Sequence, residues 1–354
     1  MKGLILSGGK GTRLRPLTHT QAKQLVPVAN KPVLFYGIEA LKEAGIQDIG
    51  IVVGDTKEEI KQSAGDGSRW GIKLTYIEQK APLGLAHAVK ISRNFLREES
   101  FVMYLGDNIL KSGISSLVEK FRNNQPNSLI LLTRVPNPEM FGVAELKDGK
   151  VVNLVEKPKS PPSDLALVGV YMFDSHIFEA VNAIQPSWRN ELEITDAIQY
   201  LVEKGYQVQS HLVTGWWKDT GKIEDILEAN RLILENLPPR IEGKVDRDSR
   251  LSGSVVLEPG AKLIRAVVRG PAILGSGTVI EDSYIGPFTA VQRGCRIIRT
   301  EIENSIVLEG TEIIDIPSRI DESLIGREVK IKKCSPRPEV YRFMVGDQSR
   351  ITIK

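Results

Sequence analysis

Two cysteines in 354 residues are too few for a disulfide framework. Cys295 and Cys334 also stand outside any C-x-x-C pair, so no zinc-type cluster is implied. Both read as small buried residues or incidental surface thiols. There are four histidines (His19, His87, His176, His211), none at a ligand-like spacing, and none follows His211. No run of about 18 apolar residues occurs, so no membrane-spanning helix is expected. Charge of one sign is also missing: 47 Lys and Arg face 44 Asp and Glu, a net +3. That balance gives no reason to expect nucleic acid or an anionic membrane as partner, although a local pocket for anions needs no basic surface. The opening run Gly3-Leu4-Ile5-Leu6-Ser7-Gly8-Gly9 is too short for an export segment and ends in glycine. It reads as a buried strand, with the cytoplasm as expected location. What remains is ordinary globular material, 41% hydrophobic and 26% charged, enough for more than one core.

Two kinds of text follow one another. Up to Glu235, short apolar runs alternate with stretches of helical period. Strands are expected at Leu4–Leu6, Ile49–Val53, Leu74–Gln79, Phe101–Leu105, Leu129–Leu132, Val151–Val155, Leu167–Phe173 and Val208–Leu212. Helices are expected at Pro32–Ala44, Leu85–Phe95, Ile114–Asn123, Ile177–Ile184, Thr195–Glu203 and Ile223–Glu235. This alternation predicts an α/β domain with a Rossmann-like, mostly parallel mixed sheet, in which ligands bind at the carboxyl ends of the strands. Leu237-Pro238-Pro239 stops the last helix. Beyond it, apolar residues recur every six positions: Val255, Ala261, Val267, Ile273, Val279, Ile285, Val291 and Ile297. A step of five leads to Ile302, then Leu308, Ile314 and Ile320, and another step of five to Ile325 and Ile331. Neither helix nor strand alone has that period. A left-handed parallel β-helix does, each piece forming one flat side with its apolar residue turned into a shared core. Roughly four coils of about 18 residues would fit. Two domains are expected, 1–238 and 239–354.

Ser7-Gly8-Gly9-Lys10-Gly11-Thr12-Arg13-Leu14-Arg15-Pro16 follows the first strand. Its glycines let backbone N–H groups approach phosphate oxygens, and Arg13 and Arg15 can add charge-assisted hydrogen bonds. The loop fits no Walker A frame, and Leu14 stands where a dinucleotide fingerprint needs its third glycine. Lys23, in Lys23-Gln24-Leu25-Val26-Pro27-Val28, adds a cation. Trp70, Trp216 and Trp217 read as packing groups.

The run from Gly8 to Thr18, the Lys23–Val28 segment and Lys31-Pro32 together resemble the signature of sugar-1-phosphate nucleotidylyltransferases. Gly106-Asp107-Asn108, Glu156-Lys157-Pro158, Glu191-Leu192-Glu193-Ile194-Thr195-Asp196 and Trp217-Lys218-Asp219-Thr220-Gly221 narrow the resemblance to glucose-1-phosphate thymidylyltransferases. The six-residue repeats with Pro338-Glu339-Val340-Tyr341-Arg342 resemble that family's long form. The resemblance implies that glucose-1-phosphate attacks the α-phosphorus of dTTP, giving dTDP-glucose and pyrophosphate. Both reactants are anions, and two unit charges ~4 Å apart repel by about 4 kcal/mol at an effective dielectric near 20. Positioning and positive charge must therefore dominate, with no protein nucleophile required.

The resemblance assigns roles residue by residue. Mg2+ is the implied cofactor, with Asp107 and Asp219 as its ligands; composition alone would read each as a turn residue. Arg13 and Lys23 are the catalytic cations that neutralise the triphosphate. Leu6, Gly8, Gly9, Gly11, Thr12, Arg13, Gln79, Gly84 and Asp107 form the nucleotide site. Gln79 and Gly84 serve the base, since a glutamine amide suits the N3–H and carbonyl edge of a pyrimidine. Asn108, Gly142, Glu156, Lys157, Tyr171, Arg189 and Glu191 form the sugar-phosphate site, with Lys157 and Arg189 on the phosphate and Glu156 on sugar hydroxyls. Tyr171 has an alternative reading as a plain strand aromatic. Thr195 is expected to cap the helix that follows it. The expected partners are dTTP or UTP and glucose-1-phosphate, with neither nucleic acid nor membrane. Thymine and uracil share one edge, and a methyl pocket is worth only about 1–3 kcal/mol. Alternatives are a UTP-dependent or broader enzyme and a catalytically silent regulatory homologue. β-Helices also host acyltransferases, but no histidine base is available here. The repeats are expected to serve assembly or stability, and a homo-oligomer is the expected state.

Overall fold

The computed structural model describes residues 1–9, 11–333 and 343–353. Lys10, Cys334 and the Pro338-Glu339-Val340-Tyr341-Arg342 motif lie outside the described residues. The chain divides into two compact units: Met1–Lys10, Gln21–Leu25 and Val33–Asp219 form one, and Gly11–Thr20, Val26–Pro32 and Thr220–Lys354 the other. This division cuts the glycine-rich loop after residue 10 and assigns the segment from Thr220 onward to the second unit.

The first unit is built on a nine-stranded sheet. Four of its strands, β1 (Lys2–Ser7), β2 (Asp48–Val53), β3 (Lys73–Glu78) and β4 (Phe101–Leu105), are parallel in the order β4-β1-β2-β3. In β1 every residue from Gly3 to Ser7 is buried. Such a strand is covered on both faces, which is why it reads as a continuous apolar run. After β4 come the short β5 (Asn108–Leu110), then β6 (Ser128–Arg134), β7 (Gly142–Lys147), β8 (Lys150–Glu156), β9 (Leu165–Phe173), β10 (Val208–Leu212) and β11 (Trp217–Asp219). The sheet is mixed, as expected: β9 runs antiparallel to β4 and β6, and β8 antiparallel to β7.

Helices cover the sheet. They are α1 (Val33–Glu43), α2 (Lys57–Ala64), α3 (Leu85–Ile91), α4 (Arg93–Leu96), α5 (Ser115–Asn124), α6 (Ile177–Ala183) and α7 (Ile194–Glu203). On α7, Ile194, Ala197, Ile198 and Leu201 form the buried stripe that its 3.6-residue period dictates. Two expectations need correction. The helix over Leu85–Phe95 is broken at Ser92, whose hydroxyl donates to the Ala88 carbonyl at 2.7 Å, a back-bond that bends helices. Thr195 does not cap α7: the helix starts one residue earlier, after extended Glu193. The strand β7 and the helix α2 carry too little apolar contrast to have been read from sequence.

The second unit is a parallel β-helix of three sheets, two of six strands and one of four, the left-handed form that the short period calls for. It begins at Arg240 and therefore has more coils than the apolar series suggested. Its rung is also not uniformly 18 residues. Val255 pairs with Ala272 and Val279 with Arg296, steps of 17, while Ile306 pairs with Leu324, a step of 18. In the shorter coils the sides do not all span six residues, and the expected inward series falls out of phase. Val255, Ala261, Ile285, Val291, Ile297, Ile302 and Ile325 do lie in the core. At Val267, Val279 and Ile314, however, the core residue is the neighbour: Val268, Ile280 and Ile313. Around Ile273 the core is taken by Ala272 and Leu274. Cys295 is fully buried and donates to the Leu308 carbonyl at 3.1 Å; burial pushes its thiol up to about 11.

One column of corners is charged. Arg265, Asp282, Arg299 and Asp315 all adopt the left-handed conformation, with φ between 47 and 60°. The Arg265 guanidinium bonds Asp282 at 2.6 Å, and Arg299 bonds Asp315. Within the same unit, α8 (Ile223–Leu234) is fastened by Asn230, which accepts from the Ala29 N–H and donates to the Phe288 carbonyl, both at 2.9 Å.

Candidate active site

At the carboxyl edge of the parallel strands of the first unit, glycines stand close to their neighbours. A Cβ on Gly8 would stand 3.1 Å from Gln79 Oε1, and one on Gly106 3.0 Å from the Leu6 carbonyl. Leu6, almost buried, accepts the Gly106 N–H through that carbonyl at 2.9 Å. Gln24, which sequence reading assigned no separate role, is buried beside Gly9.

Two carboxylates meet on one cation. Asp107 follows β4, and the next strand, β5, pairs antiparallel with β11 so that Asn108 lies opposite Asp219. The ribbon thereby places Asp107 and Asp219 side by side. Lys23, only 8% exposed, hydrogen-bonds Asp107 Oδ2 and lies 3.8 Å from Asp219 Oδ1. Burial raises the pKa of Asp107, but the Lys23 ammonium and the Asn108 amide outweigh it and hold the group below its ordinary value. Asn108 donates to Asp107 Oδ1 at 2.8 Å and accepts from Trp217 Nε1 at 2.5 Å. Asn108 is 2% exposed, and these two partners hold its amide against Asp107. Trp217 is likewise more than a packing group, because its N–H fixes the Asn108 amide.

A second cluster gathers around Glu156. This residue ends β8 opposite Gly142, where a Cβ would lie 2.7 Å from Thr195 Cγ2 and 3.0 Å from Glu156 Oε2. Arg189 lies 3.5 Å from Glu156, 3.0 Å from Glu191 and 3.4 Å from Glu193, and Lys157 Nζ is 3.7 Å from Glu156. Burial and the nearby Glu193 raise the Glu156 pKa against the pull of Lys157 and Arg189. Thr195 serves here, donating to Glu156 at 3.3 Å. Glu193, buried and also bonded to the Ser187 hydroxyl at 2.8 Å, was not singled out from sequence. Tyr171 is 4% exposed and stacked on Phe173 at 6.1 Å, surroundings that favour its reading as a strand aromatic.

Gly84 joins a third group to the second. Its φ is 101°, and a Cβ there would stand 2.3 Å from the Leu192 carbonyl, so only glycine fits. Gln79 Nε2 donates to the Gly84 carbonyl at 3.2 Å and meets His87 Nδ1 at 3.0 Å. Gly11, Thr12 and Arg13 fold with the second unit, where Thr12–Leu14 is a 3-10 turn and Arg13 is exposed.

The nucleotidyl transferase family model matches residues 2–236. The chain is 55% identical over its full length to the glucose-1-phosphate thymidylyltransferase of Streptomyces griseus, spanning 99% of that protein. It is also 55% identical to that of Streptomyces antibioticus, with 100% of both chains covered. This chain belongs to the nucleotidyl transferase family. A solved Bacillus anthracis structure, named as a candidate glucose-1-phosphate thymidylyltransferase, aligns with a TM-score of 0.62 at 36% identity, over 66% of this chain and 94% of that one.

In a nucleotidyl transferase the three groups divide the chemistry sensibly. Lys23 and its two aspartates carry a net negative charge that a divalent cation could offset, the Glu156–Arg189 cluster combines carboxylates with cations, and Gln79 carries an amide. Among the described residues, no group of three or more His, Cys, Asp or Glu is arranged to hold a metal, so a cation would rest on Asp107, Asp219 and substrate oxygens. No helix among them is long and apolar enough to cross a membrane.

Proposed function

We propose that this nucleotidyl transferase moves a thymidylyl group from dTTP to glucose-1-phosphate, releasing pyrophosphate by direct displacement at the α-phosphorus. The observation that carries this reading is the convergence of Asp107 and Asp219 on buried Lys23, in a family whose full-length relatives bear that name. Mg2+ fits the pair: two hard oxygen donors share one point, and their charge already needs a cation. When bound, Mg2+ supplies the positive charge that offsets the approach of one phosphate to another. Lys23 adds charge from beneath, and Asn108 keeps the Asp107 carboxylate turned toward the site. Lys157 and Arg189 hold the sugar's phosphate, while Glu156 accepts its hydroxyls. Gly8 and Gly9 offer backbone N–H groups to the triphosphate. The β-helix serves assembly or stability of a homo-oligomer.

The test is pyrophosphate release from dTTP, UTP and other triphosphates with glucose-1-phosphate and other sugar-1-phosphates, with and without Mg2+. Turnover of dTTP and glucose-1-phosphate that stops on chelation is expected. A clear preference for UTP would move the base assignment, and silence across the panel would refute the enzyme reading. Light scattering of the intact chain should give a mass above the monomer's; a monomer would remove the assembly role.

A further inference from the structure

The amide of Gln79 has little freedom. The Gly84 carbonyl can only accept, so the atom 3.2 Å from it must be the nitrogen Nε2. The same nitrogen spends its second hydrogen on His87 Nδ1, 3.0 Å away. That bond makes Nδ1 the acceptor and places the imidazole proton on Nε2 of His87. Both hydrogens of the Gln79 amide are then used inside the protein. Its oxygen, Oε1, faces Gly8, where a Cβ would come within 3.1 Å of it. Gln79 can therefore offer a ligand only an acceptor. Partial burial, then the Lys90 ammonium, lowers the pKa of His87 and favours the neutral ring that this arrangement needs.

We propose that His87 sets the base preference: by holding Gln79 with Nε2 inward, it leaves Oε1 to accept from a ring N3–H, as in thymine or uracil, and to repel the bare N3 of cytosine. The inference rests on the thymidylyl-transfer reading above and adds a positioning residue to it. His87 is on α3, three residues after Gly84, and acts on the base site through Gln79.

The test measures kcat and KM for dTTP and dCTP, with glucose-1-phosphate and Mg2+, in the full chain and in His87→Phe and His87→Asn. Phenylalanine cannot accept, so Gln79 can turn over and present Nε2 to cytosine. Asparagine carries Oδ1 near the position of Nδ1 and keeps the bond. His87→Phe is expected to lower the dTTP-to-dCTP ratio of kcat/KM by about tenfold or more, through KM rather than kcat, and His87→Asn to restore most of it. Each ratio is taken within one preparation, so a poorly folded fraction cancels. An unchanged ratio in His87→Phe, or a ratio in His87→Asn as low as in His87→Phe, overturns the role of His87 and leaves thymidylyl transfer standing. No turnover of dTTP by the native chain, or a native preference for dCTP, overturns both.

Discussion

Lys23 and Asp107 touch across 84 positions of chain, whereas in the β-helix Val255 lies against Ala272, one coil later. The first unit draws its chemistry from long-range contacts: β5 and β11 bring Asn108 and Asp219 together across more than half of that unit. The second unit is built from contacts of one short step, repeated, and its described residues contain no comparable meeting of buried cation and carboxylates. A motif with a functional role can therefore be noticed in the first unit, but its geometry depends on topology. In the second, geometry follows from period, and function does not.

Substitutions that separate the two behaviours should differ in what they damage. The largest expected effect is Asp107→Asn, which should cut pyrophosphate release by about a thousandfold while circular dichroism stays native; a rate within a few-fold of the parent would remove Asp107 from the metal site. In the β-helix, Ile280→Ala should lower unfolding stability by about 2–5 kcal/mol, because Ile280 is fully buried. Its neighbour Val279, only half-buried, should cost less than about 1.5 kcal/mol on the same change. Equal costs in denaturant titrations would show that the expected six-residue phase, and not the observed one, describes the core. Gly142→Ala should raise KM for glucose-1-phosphate about tenfold with a smaller change in kcat, since the new methyl presses on Thr195 and Glu156. An unaltered KM would detach Gly142 from the sugar site. The smallest effect is expected of Arg265→Ala at the exposed charged corner. Its thermal midpoint should fall by less than that of Ile280→Ala, and the difference should shrink as salt is added; a loss that survives high salt would argue for packing instead.

The parallel strands were legible because burial on both faces leaves continuous apolar runs, as at Leu4–Leu6 and Ile49–Val53. The repeats were legible because a short period has few structural solutions. The shortened sides of the first coils were hidden, since Val267 and Val268, or Val279 and Ile280, are equally apolar and only pairing decides which one turns inward. Thr195 was read as a cap because of its place before a helical run. Its hydroxyl instead bonds Glu156, a partner 39 residues away that local sequence cannot supply. Trp217 gave no polar signal, because an indole N–H has meaning only once Asn108 is opposite it. His87 was passed over for lack of ligand-like spacing, and what it touches is an amide eight residues away in chain but set by the ends of β3 and α3.

The sequence by itself determined the order of strands and helices, the six-residue periodicity and the family, because burial patterns and motifs are properties of local chain. Tertiary structure alone decided which of two adjacent apolar residues fills the β-helix core. It also put Asp107 and Asp219 on one lysine and fixed which atom of Gln79 remains for a ligand. Each of these depends on directional contacts between residues distant along the chain or on register between coils, and neither is written into composition or spacing.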